Sequence, residues 1–332
     1  MHRFAKAVFV IGPTASGKTG LAHALSDLLS QQFSRTCELV NLDAFQFYRG
    51  VTIGTAKPPA EEINRYKYHG IDVLAPCETI DAARYAEMVW DACNDIDARG
   101  CLPICVGGSG LYLRAVLHGL DPLPPRNEDL RNMFRASAAV WGWPELHRWL
   151  GALAPERAAE LHPNDKTRIE RALEVVFQRP EGTEPAALFK KSQPLSQQSL
   201  CGDAFVIQVD CEDEVLRARI SRRLEVMFAE GWIAEVADLM AAQGEVFKTS
   251  QAFKAIGYPE IWAALAEVEG NQARLTEKTL LLLHERIATL TWQYVRRQRT
   301  WNSKEHCNWT FDSSGGISQK FQLSDQFVDF IS

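Results

Sequence analysis

Several things are missing from this chain, and each absence excludes a class of protein. No apolar run reaches the length of a membrane span. The first residues, Met-His-Arg-Phe-Ala-Lys, run almost at once into an apolar segment, so no signal or transit peptide is expected. The eight cysteines (37, 77, 93, 101, 105, 201, 211 and 307) form no C-x-x-C and no Cys/His cluster. That pattern argues against a zinc site and for reduced core thiols in a cytoplasmic protein. There is no excess of basic charge: the net value of −6 excludes a basic nucleic-acid coat but leaves room for a local basic patch. Repeats and low-complexity tracts are absent too. The 332 residues suffice for one large domain or two, with apolar content high enough for a substantial core.

What is present begins with "IGPTASGKT", directly after the apolar run Ala7–Val10. Gly-x-x-x-x-Gly-Lys-[Ser/Thr] after a strand is the phosphate loop, whose backbone N–H groups wrap phosphate oxygens. Gly12, Pro13, Thr14, Ala15, Ser16, Gly17, Lys18 and Thr19 are the candidate ligands. Lys18 supplies a point charge and the Thr19 hydroxyl a donor for Mg²⁺. Leu21, Leu25 and Leu28 follow at helical spacing, so the loop opens a helix whose positive N-terminus faces the anion. The loop alone does not name the molecule that carries the phosphate, and ATP or GTP is the ordinary expectation.

Strand-like runs at Ala7–Ile11, Leu39–Leu42, Leu102–Val106 and Phe205–Val209 are separated by helical patterns. One such pattern is the stripe Tyr85, Met88, Ala92 and Ile96, which stops at Gly100. Apolar strands alternating with helices imply a parallel sheet covered on both faces, with ligands at the carboxyl ends of the strands. The phosphate loop, Asp43 and Gly107-Gly108-Ser109 all fall at such ends. From about residue 121 a Pro-rich turn, "LDPLPPRNED", leads into helical sequence that lasts to about residue 200 and reads as an insertion, with Asn127 as a candidate cap. The chain returns to the sheet through "SQPLSQQSLCGD". After the fourth strand everything reads as helical up to Trp301, and the stretch from Asn308 reads as an edge or a tail.

Asp43 ends an apolar strand. A carboxylate there reaches for the metal of a nucleotide or acts as a general base. "GTAKP" at 54–58 is unusual, and nothing general about nucleotide binding calls for it. Ser109 follows two glycines that let a backbone approach a ligand. Arg217, Arg219, Arg222 and Arg223 lie on a helix whose apolar stripe is Leu216, Ile220, Leu224 and Met227. Arg219 and Arg223 share a face, as a salt-bridge surface or a diphosphate clamp. The segment from Arg286 to Lys304 holds Arg296, Arg297 and Arg299 with Trp292, Tyr294 and Trp301 and no acidic residue. Its expected buried stripe is Ile287, Leu290 and Tyr294. Arginine interleaved with aromatics suits RNA, and equally a solvated basic helix.

Together the pieces "GPTASGKT", "DAFQFYRGVTIGTAKP", "LPICVGGSGLYLRAVLHGLDPLP", "LHPNDKTRIERALEV", "LRARISRRLEVMFAEGWIAEV", "AIGY" and "RRQRTW" resemble the tRNA dimethylallyltransferase family from about Ala7 to Trp301. The resemblance implies a P-loop NTPase-like, nucleotide-kinase-like α/β fold, with a core of 1–120 and 201–332 and a helical insertion domain of 121–200 for tRNA. It implies that the loop holds dimethylallyl diphosphate with Mg²⁺ and Thr19, helped by Arg219 and Arg223. Because the loop is indistinguishable by sequence, the family is often labelled ATP-binding. Asp43 matches the family's base toward the adenine N6, at the position beside the anticodon, and Ser109 stands where Thr is usual. Matching the segments that touch the anticodon stem-loop of tRNA are Asp43, Ala44, Phe45, Gln46, Ser109, Arg131, Thr167, Arg168, Ile169, Glu170, Arg171, Lys254, Ala255, Ile256, Gly257, Tyr258, Pro259, Arg296, Arg297, Gln298, Arg299, Thr300 and Trp301. A monomer is expected. Departures from the pattern are Ala44 for Ser, Pro259 for a basic residue, Trp292 for Arg, and Asn302-Ser303 for an apolar residue and Arg. A small-molecule kinase and a non-catalytic RNA-binding NTPase stand as rival readings of the loop.

Overall fold

The computed structural model describes residues 3–120, 123–189, 200–316 and 323–332. Six strands form one sheet: β1 Phe4–Ile11, β2 Cys37–Leu42, β3 Tyr68–His69, β4 Leu102–Gly107, β5 Gly202–Asp210 and β6 Trp309–Asp312. Their order is β3-β2-β4-β1-β5-β6, and every pairing is parallel. The reason lies in the period of two along β1. Phe9 and Ile11 point to one face and join the helices Ala82–Ala98 and Gly110–His118. Val8 and Val10 point to the other and meet Leu21, Leu25 and Leu29 of the helix Lys18–Phe33 and Phe327 of the C-terminal helix. A strand apolar on both sides needs cover on both sides, and parallel crossovers supply it. The buried seam of the first helix ends on Leu29 rather than Leu28, and that of the helix Ala82–Ala98 runs through Val89 and Cys93.

The register brings three strand ends together. Ile11 pairs Gly107, and Leu42 pairs Gly107. The next residue in each strand is therefore Gly12, Gly108 or Asp43, side by side at one edge of the sheet. A third cluster packs beyond that edge, where Tyr48 and Val51 meet the helices Asp213–Ala229, Trp232–Gln243, Tyr258–Glu267 and Glu277–Asn302. None of the described helices is long and apolar enough to cross a membrane.

The chain divides into two compact units, Met1–Gly119 with Leu195–Ser332, and Leu120–Pro194. Residues 121–122 of "LDPLPP" and most of the return segment "SQPLSQQSLCGD" lie outside the described residues. The second unit is helical, with its own core of Phe134, Leu146, Leu150, Ile169, Leu173 and Val176. Asn127 caps the helix Glu128–Trp141, its side chain accepting from Leu130 N. Glu174, fully buried on the helix Lys166–Phe177, gathers Arg131 at 2.9 Å, Arg171 at 2.5 Å and the Asn127 amide at 2.6 Å. Burial alone would raise its carboxyl pKa. Those partners win and hold it down at about 2.

Candidate functional site

The phosphate loop is built from backbone. Gly17 caps the helix Lys18–Phe33 at φ 86° with no side-chain cap, which leaves the first helical amides for an anion. Ala15 sits at φ 65°, a conformation a side chain rarely adopts, and this turns successive N–H groups to one side. Ser16 is buried, and its Oγ has no partner among the described residues. Lys18 Nζ rests on the Pro13 carbonyl at 3.2 Å. Burial, then the repulsion of Arg223, lowers its pKa to about 8, while Asp43 pulls the other way.

Two further loops are locked to this one. Gln298 receives the Thr14 amide at 2.8 Å and donates to the Gly108 carbonyl at 3.0 Å. A Cβ at Gly108 would collide with the Gly12 carbonyl, so the second glycine of "GGS" allows the contact. Behind the loop, Ser313 Oγ donates to the Ser16 carbonyl at 2.6 Å, and Arg219 holds Ser313 O at 2.6 Å. Arg219 thus braces the loop from its backbone side, and Arg223 is the arginine that reaches the crevice.

Asp43 follows β2. Its amide is held by Asn41 Oδ1 at 2.9 Å, and its own Oδ1 accepts the Phe45 amide at 2.9 Å, so the carboxylate is fixed by a local turn. Ser109 Oγ accepts from the Ala44 amide at 3.5 Å and lies close to the Tyr294 phenol. Burial first, and Asp43 second, push the Tyr294 phenol up to about 12, so it stays neutral. Burial depresses Arg223, with Asp43 opposing.

Two compartments meet at these groups. A polar one of about 50 Å³ is lined by Lys18, Thr19, Asn41 and Gln46. An apolar one of about 190 Å³ is lined by Ile220, Leu224, Met227, Trp232, Ile256 and Ile287. Thr14, Asp43 and Arg223 line both. The unusual "GTAKP" forms part of the wall. Glu235 accepts the amides of Thr52 at 2.9 Å and Ile53 at 2.7 Å and the Tyr258 hydroxyl at 2.6 Å. Gly54 lies so close on Trp232 and Tyr258 that no Cβ fits, and buried Lys57 binds Asp72 at 2.5 Å. The polar end suits a diphosphate and the apolar end a short hydrocarbon.

A family model described as IPP transferase matches residues 46–305. A tRNA dimethylallyltransferase of Anaeromyxobacter dehalogenans (strain 2CP-C) is 40% identical over 298 residues, 90% of this chain and 92% of the relative. This chain belongs to the IPP transferase family. It is an enzyme of the transferase class, of the tRNA-modifying kind with a P-loop. The crystal structure of the full-length tRNA isopentenylpyrophosphate transferase from Bacillus halodurans is similar at a TM-score of 0.61 and 30% identity, with 98% of this chain and 93% of that one covered. A eukaryotic dimethylallyltransferase solved acting on tRNA matches at a TM-score of 0.75, covering 98% and 79%, and at 22% identity the likeness is one of fold.

The segments that resemble this IPP transferase family's tRNA contacts divide by burial. Lys254, Ala255, Ile256 and Arg297 line the apolar compartment, with Lys254 and Arg297 exposed. Thr167, Arg168, Arg296 and Thr300 are exposed. Others turn inward. Ile169 and Tyr258 are fully buried, and Gln298 is the loop bridge just described. Arg131 and Arg171 serve Glu174, and Glu170 takes Arg135 at 2.7 Å. Arg299 binds Asp210 at 2.9 Å and Asp213. Trp301 lies against Gly110, and Pro259 stands in the first turn of its helix, where no N–H is needed. The expected stripe on the helix Glu277–Asn302 shifts: Ile287 is buried, but its neighbours in the seam are Leu283, Val295, Gln298 and Asn302. Sequence reasoning missed Glu235, Ser313 and the bridging role of Gln298. The one available signal was the odd "GTAKP", which needed a partner.

Proposed function

We propose that this crevice moves a dimethylallyl group from dimethylallyl diphosphate to N6 of adenosine 37 of tRNA, beside the anticodon, and releases diphosphate. The observation that carries the reading is the carboxylate of Asp43 at the junction of a cationic, polar compartment and an apolar one. Phosphate transfer from ATP would call for the first and not the second.

The diphosphate lies on the loop amides of residues 12–19, with Lys18 and Arg223 beside it and Arg219 bracing the loop. Among the described residues no group of three or more His, Cys, Asp or Glu is gathered, so there is no all-protein metal cage. The Thr19 hydroxyl is the oxygen donor beside the loop in the polar compartment, and it fits Mg²⁺ that would take the rest of its shell from water and phosphate oxygens. When bound, Mg²⁺ neutralises charge on the leaving diphosphate.

Lys18 stabilises the same charge as the C–O bond breaks. The apolar wall keeps water from the allylic fragment. The adenine N6 is a poor nucleophile. Asp43 takes its proton as the C–N bond forms, and Ser109 orients the base. The adenosine must leave its stack, at a cost of about a few kcal/mol. Lys254, Arg296 and Arg297 hold the opened anticodon loop. The enzyme works in the cytoplasm as a monomer. Incubation of the pure protein with tRNA and either labelled dimethylallyl diphosphate or labelled ATP tests this. Prenyl transfer alone is expected, and phosphate transfer from ATP without prenyl transfer contradicts it.

A further inference from the structure

The helix Glu277–Asn302 carries Thr291, Tyr294 and Arg297 toward the crevice. One residue round from Arg297, a second face begins. It lines an open groove of about 470 Å³ with Trp292, Arg296, Arg299 and Thr300, facing Asp213 and Arg217 of the helix Asp213–Ala229. The Arg217 guanidinium lies 3.8 Å from the centre of the Trp292 ring. Trp292 packs on the apolar cluster of Leu216 and Ile287, while Arg217 is exposed. The indole thus holds flat an arginine that would otherwise sample many rotamers. Asp213, the acidic residue of the groove, is occupied by Arg299, which also holds Asp210. Among the described residues, neither Arg217 nor Arg296 has an ion-pair partner.

We propose that Arg217, laid on Trp292, and Arg296 form an accessory RNA groove that grips a backbone phosphate of the unpaired tRNA strand next to the crevice. This rests on the tRNA reading above. Two unmatched guanidinium groups in a polar groove complement a phosphodiester, and a planar fork held in advance loses little freedom on binding. Trp292 stands where the family pattern has arginine, and the cation at this place comes instead from Arg217 on the neighbouring helix.

The test uses the full-length protein and a labelled anticodon stem-loop RNA, with affinity measured between about 50 and 200 mM salt. Arg217→Gln should weaken binding about three- to tenfold and lower the salt slope by about 0.7, the loss of one single-strand phosphate contact. Trp292→Leu should weaken binding severalfold with the slope nearly kept, because the charge stays and only its orientation is lost. Arg217→Lys should also keep the slope. All three should bind dimethylallyl diphosphate like the wild type, which shows that the crevice is intact. Unchanged RNA affinity in Arg217→Gln, or a loss without a change of slope, overturns the phosphate assignment. Unchanged affinity in Trp292→Leu overturns the role of the indole. A wild-type protein that binds no tRNA would instead sink the underlying reading.

Discussion

Two regions of this molecule use arginine and lysine in opposite ways. In the helical insertion, Arg131, Arg135 and Arg171 converge on Glu170 and Glu174, two carboxylates sunk in the same core. Its positive charge there is matched from within. In the crevice, Lys18 and Arg223 share the single carboxylate of Asp43, and burial makes both resist their charge. An unmatched cation in a cavity is a demand for an anion, whereas a matched one is architecture. The two kinds look alike in a sequence.

The comparison breaks most visibly at Glu174. Glu174→Ala leaves arginines without their shared partner and should cost the insertion about 3 kcal/mol, the lower end for breaking a buried pair. Chemical denaturation followed by hydrogen exchange in residues 123–189 measures it. The pH dependence has a definite sign. Since the folded carboxyl is held at about 2, its contribution is present above the ordinary glutamate range and fades as pH falls from about 4.5 toward 2. No comparable acid loss is expected from the crevice cations.

Next in size is Asp43→Asn, which keeps the shape but cannot take a proton. Single-turnover prenyl transfer should fall roughly a hundredfold or more while both substrate affinities stay within a few-fold. A Mg²⁺ or diphosphate defect with chemistry intact at saturating ligand would reassign Asp43 to the metal. Ser109→Ala should cost less, since it removes an orienting hydroxyl and not the base. Lys18→Ala should weaken dimethylallyl diphosphate about tenfold to a hundredfold, as expected for one charge-assisted contact, and leave tRNA affinity nearly unchanged. If tRNA binding collapsed instead, the loop would be misassigned.

The smallest effect concerns Arg296 and Arg297. Their double replacement by Ala should lower the salt slope of tRNA binding by about 1.4, two single-strand phosphates. An unchanged slope would move both residues to the solvated-helix reading.

Much of the architecture was legible because it repeats. β1, β2, β4 and β5 are long apolar runs, and the loop and Asp43 follow from where such runs end. β3 spans two residues and β6 four, too short for periodicity to register. The site was legible where motif and backbone coincide, as in residues 12–19. It was not legible where a side chain's partner is distant in sequence. Gln298 meets Thr14 across 284 residues, and Glu235 meets Ile53 across 182. Arg131 meets Glu174 across 43 residues, and that carboxylate is visible only once two helices are packed together.

Lys18 is the cation that a bound diphosphate completes. Calorimetry of dimethylallyl diphosphate binding, in the presence of Mg²⁺ at about pH 8.5 and in buffers of different ionisation enthalpy, tests this directly. Burial and Arg223 hold the free Lys18 near a pKa of about 8, so at that pH a large share of it is neutral. Bound phosphate raises the pKa again, and linkage then requires proton uptake on binding, a substantial fraction of one proton per ligand. Affinity should accordingly weaken as pH rises through 8, and Lys18→Arg, charged throughout, should show neither effect. Binding with no proton uptake in the wild-type enzyme, or the same uptake in Lys18→Arg, would contradict the account.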